Sequence, residues 1–565
     1  MLELILLLCL VMLAAYPLGR YLAAIMQNQP MRIDGCFTWL EKPLYALLAT
    51  HPQNSMTVKS YIGCFLTSCG VMALLAWGIL MTQAWLPLNP DHIPNMSWDL
   101  ALHTVISFLT NTDQQHYAGQ TQLSYLSQMM VIVGLQVISP MMGLAILVAT
   151  IRALFIPTNH PNETSQFQQR RVGNYWADLI RPTVRFLLPL CLLWSLLLNS
   201  QGVPATFNAG AQVTVLDQHA ATTQYIPLGP VAPLVAIKQL GSNGGGWYSP
   251  NSATPLENPT ALSNFMEMFA ILLIPVAVIF MLGILSRRRK FAGLVFASML
   301  LMSLLSSIAA LWSEAWSHAA LHPAIMEGKE VRFGEMSSAL WAALTTQVNN
   351  GSVNMMHDSA TPLTGLVTLV NMLINAIWGG IGCGVQQFFI YLFLAVFIAG
   401  LMTGRTPEIF GRKIEAEEIK LLAVVILLQP IVILALTSIA LFFPSLTANS
   451  NPAFHGISQV FYEYVSAFAN NGSGFEGVGD NTPWWNLSCS LALLLGRFPT
   501  LIIPLWIAAR LASKRKTPES RGSLQIETPT FALTLIAIVL MLTLLQFMPV
   551  LVLGPIADQF VLLHG

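Results

Sequence analysis

Three short stretches place polar, conformationally free residues inside an otherwise apolar chain: NGGGWYSPNSATP (243–255), NGSVNMMHDSATP (350–362) and NGSGFEGVGDNTP (471–483). Each opens on Asn-Gly and reaches Thr-Pro ten residues after that glycine: Gly244 to Thr254, Gly351 to Thr361, Gly472 to Thr482. A fourth stretch, SFLTNTDQQHYAG (107–119), carries a weaker version in which Asn111-Thr112 takes the Asn-Gly place. Glycine admits backbone conformations closed to other residues and leaves no side chain in the way. Several such turns around one centre would direct carbonyl oxygens inward, where they can replace the hydration shell of a cation. That chemistry is ion coordination, and its carriers would be Asn111, Thr112, Asp113, Asn243, Gly244, Gly245, Asn350, Gly351, Ser352, Asn471, Gly472 and Ser473. Ordinary connecting turns are also rich in Asn and Gly. A fixed offset recurring about every hundred residues points instead to an internal repeat.

Arg497, in LLLGRFPT, is an ionisable residue within an apolar run, costly unless it faces an interior or has a partner. It could repel cations and gate a path, pair with an acidic side chain near the loops, or snorkel to the interface. Asp113, Glu257, Asp358, Glu476 and Asp480 follow the polar turns and either bring negative potential to an outer mouth or stay solvated. His357 beside Asp358 is too little for a metal site. Trp484 and Trp485 suit an interfacial belt. The seven cysteines form no C-x-x-C and read as small buried apolar residues.

The elements that must position these residues are membrane helices. Of 565 residues 55% are hydrophobic and only 9% charged, against about 25% charged in a soluble domain. Ten long apolar spans fall at 2–27, 61–86, 124–153, 176–199, 260–286, 291–315, 363–402, 419–443, 486–512 and 529–556, each near the roughly 20 residues that cross a bilayer. The first begins without a basic segment and continues past Gly19, so it reads as a retained helix rather than a signal peptide. The seventh is too long for one straight crossing and should break at WGGIGCGV (378–385). If 28–60, 151–185, 286–290, 403–420 and 510–521 face the cytoplasm, they hold 21 of the 26 Lys and Arg, Arg521 included. The opposite side keeps Lys238, Lys329 and Arg332. That segregation places both termini outside.

Between outward-going and inward-returning spans lie 86–123, 199–259, 316–362 and 444–485. Each has a stretch too short to cross, such as PLVAIKQL, SALWAALTTQ or QVFYEYVSAF, ahead of its polar turn. The expected fold is therefore an all-α integral membrane protein of ten transmembrane helices. Four membrane–pore–membrane repeats with re-entrant pore loops, related by a pseudo-fourfold axis, occupy 61–153, 176–286, 291–402 and 419–512. An extra N-terminal helix and inner loop (1–60) and an extra C-terminal helix (529–565) lie outside the repeat. Irregular backbone at membrane depth survives only when buried in protein or lining a wet cavity, and such loops meet that condition. Each half-helix would turn the negative end of its dipole toward a central cation.

Zero net charge gives no sign of nucleic-acid binding, and RRRK (287–290) reads as topology and lipid headgroup contact. The charged run 404–420 is either a docking loop or a solvated connection. There is no G-x-x-x-x-G-K-[ST] and no soluble segment large enough for a nucleotide domain, so the chain is not expected to hydrolyse ATP. Channel, gradient-driven carrier and transport subunit all remain open on these grounds. An intramembrane enzyme would need catalytic side chains converging where the loops offer glycines and amides.

Five local stretches carry a family resemblance: SNGGGWYSPNSATPLENPT (242–260), GSVNMMHDSATPL (351–363), LAVFIAGLMTGRTPEIFGRKI (394–414), NNGSGFEGVGDNTPWWN (470–486) and LGRFPTLIIP (495–504). The chain resembles, from first span to last, the potassium-binding, channel-like subunits of bacterial Kdp-type potassium-transporting P-type ATPases. The resemblance implies a subunit of the inner membrane that selects extracellular potassium, the transported substrate, for an ATP-driven high-affinity uptake complex. ATP would be used only by a separate P-type ATPase catalytic subunit. A peripheral single-helix accessory subunit and a small single-span subunit would complete the assembly. It implies filter positions around Thr112, Gly244, Gly351 and Gly472, a matching intramembrane arginine at Arg497, and an inner restriction at Gly379, Gly380, Gly382 and Gly384. Two departures stand out. Asn350-Gly351 replaces the Cys-Gly common in the family, and the first loop lacks a glycine, so fourfold symmetry would not hold in detail.

Overall fold

The computed structural model describes the chain apart from residues 157–168, 216–222, 322–323, 448, 450, 452, 517–523 and 565; Arg521 therefore lies outside the described residues. Among the described residues ten helices are long and apolar enough to cross a bilayer: Leu2–Met26, Val58–Trp85, Tyr125–Phe155, Tyr175–Ser200, Ala261–Leu285, Arg289–Trp316, Cys383–Met402, Ala416–Phe442, Pro483–Ser513 and Pro529–Leu563. Their bounds follow the hydropathy closely, except that the seventh begins at Cys383 rather than 363 and the last runs on past Pro555 through a wide turn at Val552–Ile556.

Burial sorts these helices into inner and outer. The third and fifth spans are buried over 78% and 83% of their most apolar windows, whereas the second, fourth and eighth reach only 28%. An apolar helix with most of its surface uncovered is one whose solvent is lipid. Where inner helices meet, small residues allow close approach. Gly19 of the first span is one: a Cβ there would sit 2.4 Å from the Ala277 carbonyl of the fifth. On the basic side, Arg152 ties the third span to the fourth through Asp178 (2.5 and 2.9 Å), whose carboxylate also accepts from Tyr61 of the second (3.0 Å). Three two-stranded antiparallel pairs clip the connections: Met56–Thr57 with Arg171–Gly173, Ala211–Thr214 with Thr223–Ile226, and Glu408–Ile409 with Arg412–Lys413.

Four shorter helices fill the space between span pairs: Trp98–Leu109, Val231–Leu240, Gly334–Val348 and Ala453–Ala469. Each leads into one of the polar turns. The seventh span is interrupted as expected: Pro362–Ile374 stops at Asn375 (φ 52°), and the helix resumes at Cys383 after left-handed Gly379 (61°) and Gly382 (83°).

Two expectations fail. Trp485 is not interfacial; it is wholly buried against Tyr464, because its helix starts beneath a covering loop that accepts its indole N–H at the Thr447 carbonyl (3.4 Å). The cysteines are free but not uniformly buried, since Cys9 and Cys36 lie on outward faces.

Candidate ion-binding site

The four polar turns share one backbone conformation. One or two positions past each short helix the chain turns left-handed: at Asn111 (φ 60°), Ser242 (50°), Asn349 (60°) and Asn470 (56°). The next N–H returns to the carbonyl five residues back, Thr112 to Ser107, Asn243 to Lys238, Asn350 to Thr345 and Asn471 to Ser466, at 3.0–3.1 Å. The third residue is left-handed again: Asp113 (58°), Gly244 (83°), Gly351 (74°) and Gly472 (103°). This corrects the register expected for the first turn by one residue. Thr112, not Asn111, stands with Asn243, Asn350 and Asn471. Asp113, not Thr112, takes the glycine place. The first loop has no Thr-Pro to count back from, so the sequence offered only the Asn as a marker.

The turns touch one another in cyclic order. A Cβ at Gly244 would lie 1.7 Å from the Asn350 carbonyl oxygen, one at Gly351 2.1 Å from that of Asn471, and one at Gly472 2.1 Å from that of Thr112. Side chains are excluded there both by the positive φ and by the neighbouring oxygen. Thr112, Asn243, Asn350 and Asn471 are all buried to 1% exposure or less. No hydrogen-bond donor among the described residues reaches their carbonyl oxygens. Buried carbonyls without a donor are rare in proteins and call for a partner of another kind.

The asparagine side chains point away from these oxygens and brace each turn against the next. Asn350 donates to the Lys238 carbonyl (2.8 Å) and Asn471 to that of Thr345 (2.9 Å). Asn111 reaches the Ser242 carbonyl (2.8 Å), and Asn349 that of Ala469 (2.7 Å). Ser352 and Ser473 give their hydroxyls to the Asn350 and Asn471 amide oxygens. Gln136 of the third span holds Asp113 Oδ2 (2.6 Å) and the Gly244 carbonyl (3.0 Å) together. The main-chain oxygens of Thr112, Asn243, Asn350 and Asn471 are left free of side-chain donors among the described residues.

Above the turns opens a cavity of about 360 Å³ whose lining includes Asp113, Gly245, Gly351 and Gly472. Its walls carry the carboxylates of Asp113, Glu463, Glu476 and Asp480 and, among the described residues, no Lys or Arg. Burial pushes Glu476 up to about 7, opposed by backbone N–H donors, and Asp480 up to about 6, opposed by His116.

Beneath the turns lies the break in the seventh span. Trp378 and Gly379 donate to the Gln347 carbonyl (3.1 and 2.8 Å), and Ile381 donates to Ser242 Oγ (3.0 Å). Cβ atoms at Gly380, Gly382 and Gly384 would come within 2.9 Å of Cys383 Sγ, 2.4 Å of the Gly143 backbone and 2.1 Å of the Trp378 carbonyl. Arg497 flanks the same Gly143, its Nη2 3.1 Å from that glycine's Cβ position and 3.4 Å from the Ser139 carbonyl. It is 3% exposed, so it does not snorkel, and no described carboxylate lies within ion-pair distance. Neither snorkelling nor an acidic partner among the described residues accounts for it.

A family model described as "KdpA: Potassium-transporting ATPase A subunit" matches residues 5–560. The chain belongs to the KdpA family. It is 43% identical to the potassium-transporting ATPase potassium-binding subunit of Nostoc sp. over 99% of this chain and 98% of that one. The subunits of the same name from Gloeobacter violaceus and Pseudomonas aeruginosa are each 42% identical over 97% of this chain and at least 96% of theirs. Among solved structures, the crystal structure of the potassium transporter TrkH from Vibrio parahaemolyticus aligns over 87% of this chain and 96% of that one, with TM-score 0.51 at 14% identity. The two share a fold. The resemblance read from the sequence is thereby borne out.

Several residues of this KdpA-family chain act at the site without having been singled out. Gln136 braces two turns, and Asn375 reaches the Ala469 carbonyl (3.2 Å). Glu463 accepts from Gln114 in the cavity wall. A lone Glu in VFYEYV was a visible signal, because a carboxylate within an apolar helix needs a partner. Lys238 was counted only as an outer charge. It is wholly buried, paired to Glu257 and bonded to Asn251 (2.6 Å).

Proposed function

We propose that the chain binds and selects extracellular potassium as the ion-conducting subunit of an ATP-driven high-affinity uptake complex in the bacterial inner membrane. The observation that carries this reading is the closed circuit of turns whose buried carbonyls lack donors while their glycines admit no side chain. Main-chain oxygens in that arrangement can replace the water around one dehydrated cation. Four membrane–pore–membrane units, 61–153, 176–286, 291–402 and 419–512, are related by a pseudo-fourfold axis, and the first and last helices stand outside them. The four short helices direct their carbonyl ends at the axis and favour positive charge there. The acidic cavity is the outer mouth, Arg497 and the glycine break restrict the inner path, and both termini face outside, in keeping with the basic residues.

ATP hydrolysis belongs to a separate P-type ATPase subunit, assembled with a peripheral single-helix subunit and a small single-span one. The complex and the isolated chain, each in potassium-loaded or potassium-free liposomes, test this. Uptake at low external potassium should require both ATP and the catalytic partner. Potassium flux through the isolated chain down its gradient, at a rate matching the complex, would overturn the proposal in favour of a stand-alone channel or carrier.

A further inference from the structure

One wall of the outer cavity holds a cluster that potassium coordination does not use. His116 from the first polar turn, Glu463 from Ala453–Ala469 and Cys489 from Pro483–Ser513 bring one ligand atom each to within 4.8 Å of one another. All three side chains are buried, and His116 and Glu463 line the cavity.

The tautomer of His116 follows from its second partner. Asn486 donates its amide nitrogen to Asp99 Oδ2 (2.9 Å), which turns its oxygen toward His116 Nδ1 (2.8 Å). Nδ1 therefore carries the proton in the neutral ring, and Nε2 keeps its lone pair. Metal-binding imidazoles are commonly oriented this way, with the far nitrogen donating to a carbonyl or carboxylate. Nε2 has no hydrogen-bond partner and lies 3.6 Å from Glu463 Oε1, too long for N–H···O. Two ligands of one tetrahedral zinc, each about 2.0–2.2 Å from it, are roughly 3.4 Å apart. His103 stacks on His116 at 3.7 Å and 14°, fixing the ring plane, and both its own nitrogens are unpartnered.

We propose that His116, Glu463 and Cys489 form a binding site for a divalent transition cation of the zinc class, reached from the outer cavity. Imidazole, thiolate and carboxylate suit such an ion and not potassium. Binding displaces the thiol proton into solvent, and the cavity supplies an exchangeable fourth ligand. The bound ion competes with Gln114 for Glu463 Oε1 and adds positive charge beside the mouth, so it opposes potassium entry.

The assembled complex provides the test, with zinc chloride and cobalt chloride as probes. Equilibrium dialysis should give one more tight zinc per complex for the wild type than for Cys489→Ser. Cobalt should produce a thiolate charge-transfer band that Cys489→Ser and His116→Ala both lose. Cys489→Ser should keep the basal potassium-stimulated ATPase rate and raise the zinc concentration for half-inhibition at least tenfold. Equal zinc stoichiometry in both proteins, or a cobalt band surviving both substitutions, overturns the site. The dialysis and the spectrum read the site independently of transport, so their failure is distinct from a failure of the potassium reading.

Discussion

Gly472 lies against Thr112 so closely that a Cβ on the glycine would stand 2.1 Å from the threonine carbonyl oxygen. Two turns 360 positions apart in sequence are thus fitted backbone to backbone. Gly472→Asp would strain the left-handed backbone (φ 103°) and push that oxygen aside. Potassium-stimulated ATPase activity of the assembled complex should show affinity weakened tenfold or more, about 1.4 kcal/mol. Assembly, followed by co-purification, should survive; unchanged affinity would count against the carbonyl ring.

Acid should weaken potassium capture. Burial raises Glu476 to about 7 and Asp480 to about 6, so both are charged at pH 8 and lose charge as pH falls through those values. Asp113, Glu463 and His116 face the same cavity. Between pH 8 and 5.5 the apparent affinity should fall roughly three- to tenfold, about 1 kcal/mol of lost attraction, and more at low ionic strength. Glu476→Gln with Asp480→Asn should bind weakly at both values and show a flatter profile.

Arg497 has no described carboxylate to orphan, so its removal tests charge rather than packing. At an effective dielectric constant near 20, a buried guanidinium repels a cation by about 4 kcal/mol at about 4 Å and less in proportion to distance. Arg497→Gln should therefore allow an ATP-independent potassium leak, at least tenfold above the wild type in proteoliposomes. The melting temperature of the complex should move little. A stable, leak-free variant would assign the residue to structure alone.

The buried pair Lys238–Glu257 should behave in the opposite way. Removing one partner leaves an uncompensated charge and costs about 3–5 kcal/mol. Lys238→Met and Glu257→Gln should each lower the thermal stability of the complex sharply. The double substitution should recover part of the loss. Because the Lys238 carbonyl also receives Asn350, the single variants should lose potassium affinity as well.

Much of this was legible in the sequence because a bilayer imposes a long, coarse signal. Ten apolar runs mark the crossings to within a few residues, apart from the start of the seventh and the end of the last. The loops were legible through their repetition: a single Asn-Gly says little, but three matched offsets identify equivalent backbone positions. Where repetition lapsed, so did the reading. In the first loop Asp113 adopts the left-handed conformation that glycine occupies elsewhere, and no spacing rule marks it. The braces were out of reach for a different reason. That the Asn350 and Asn471 side chains serve their neighbours' helix ends depends on side-chain direction, which only packed helices determine. Cys489 looked like any small apolar residue until His116 and Glu463, 373 and 26 positions away, came beside it.

The interruption at Asn375–Gly382 has a mechanical consequence. Ile381 hangs from the Ser242 hydroxyl of one turn, while Trp378 and Gly379 hang from the helix that carries another. The break is thereby suspended from the turns above it. Whatever spreads the turns must tug on the break, so the two segments form a single linkage and cannot be tuned apart.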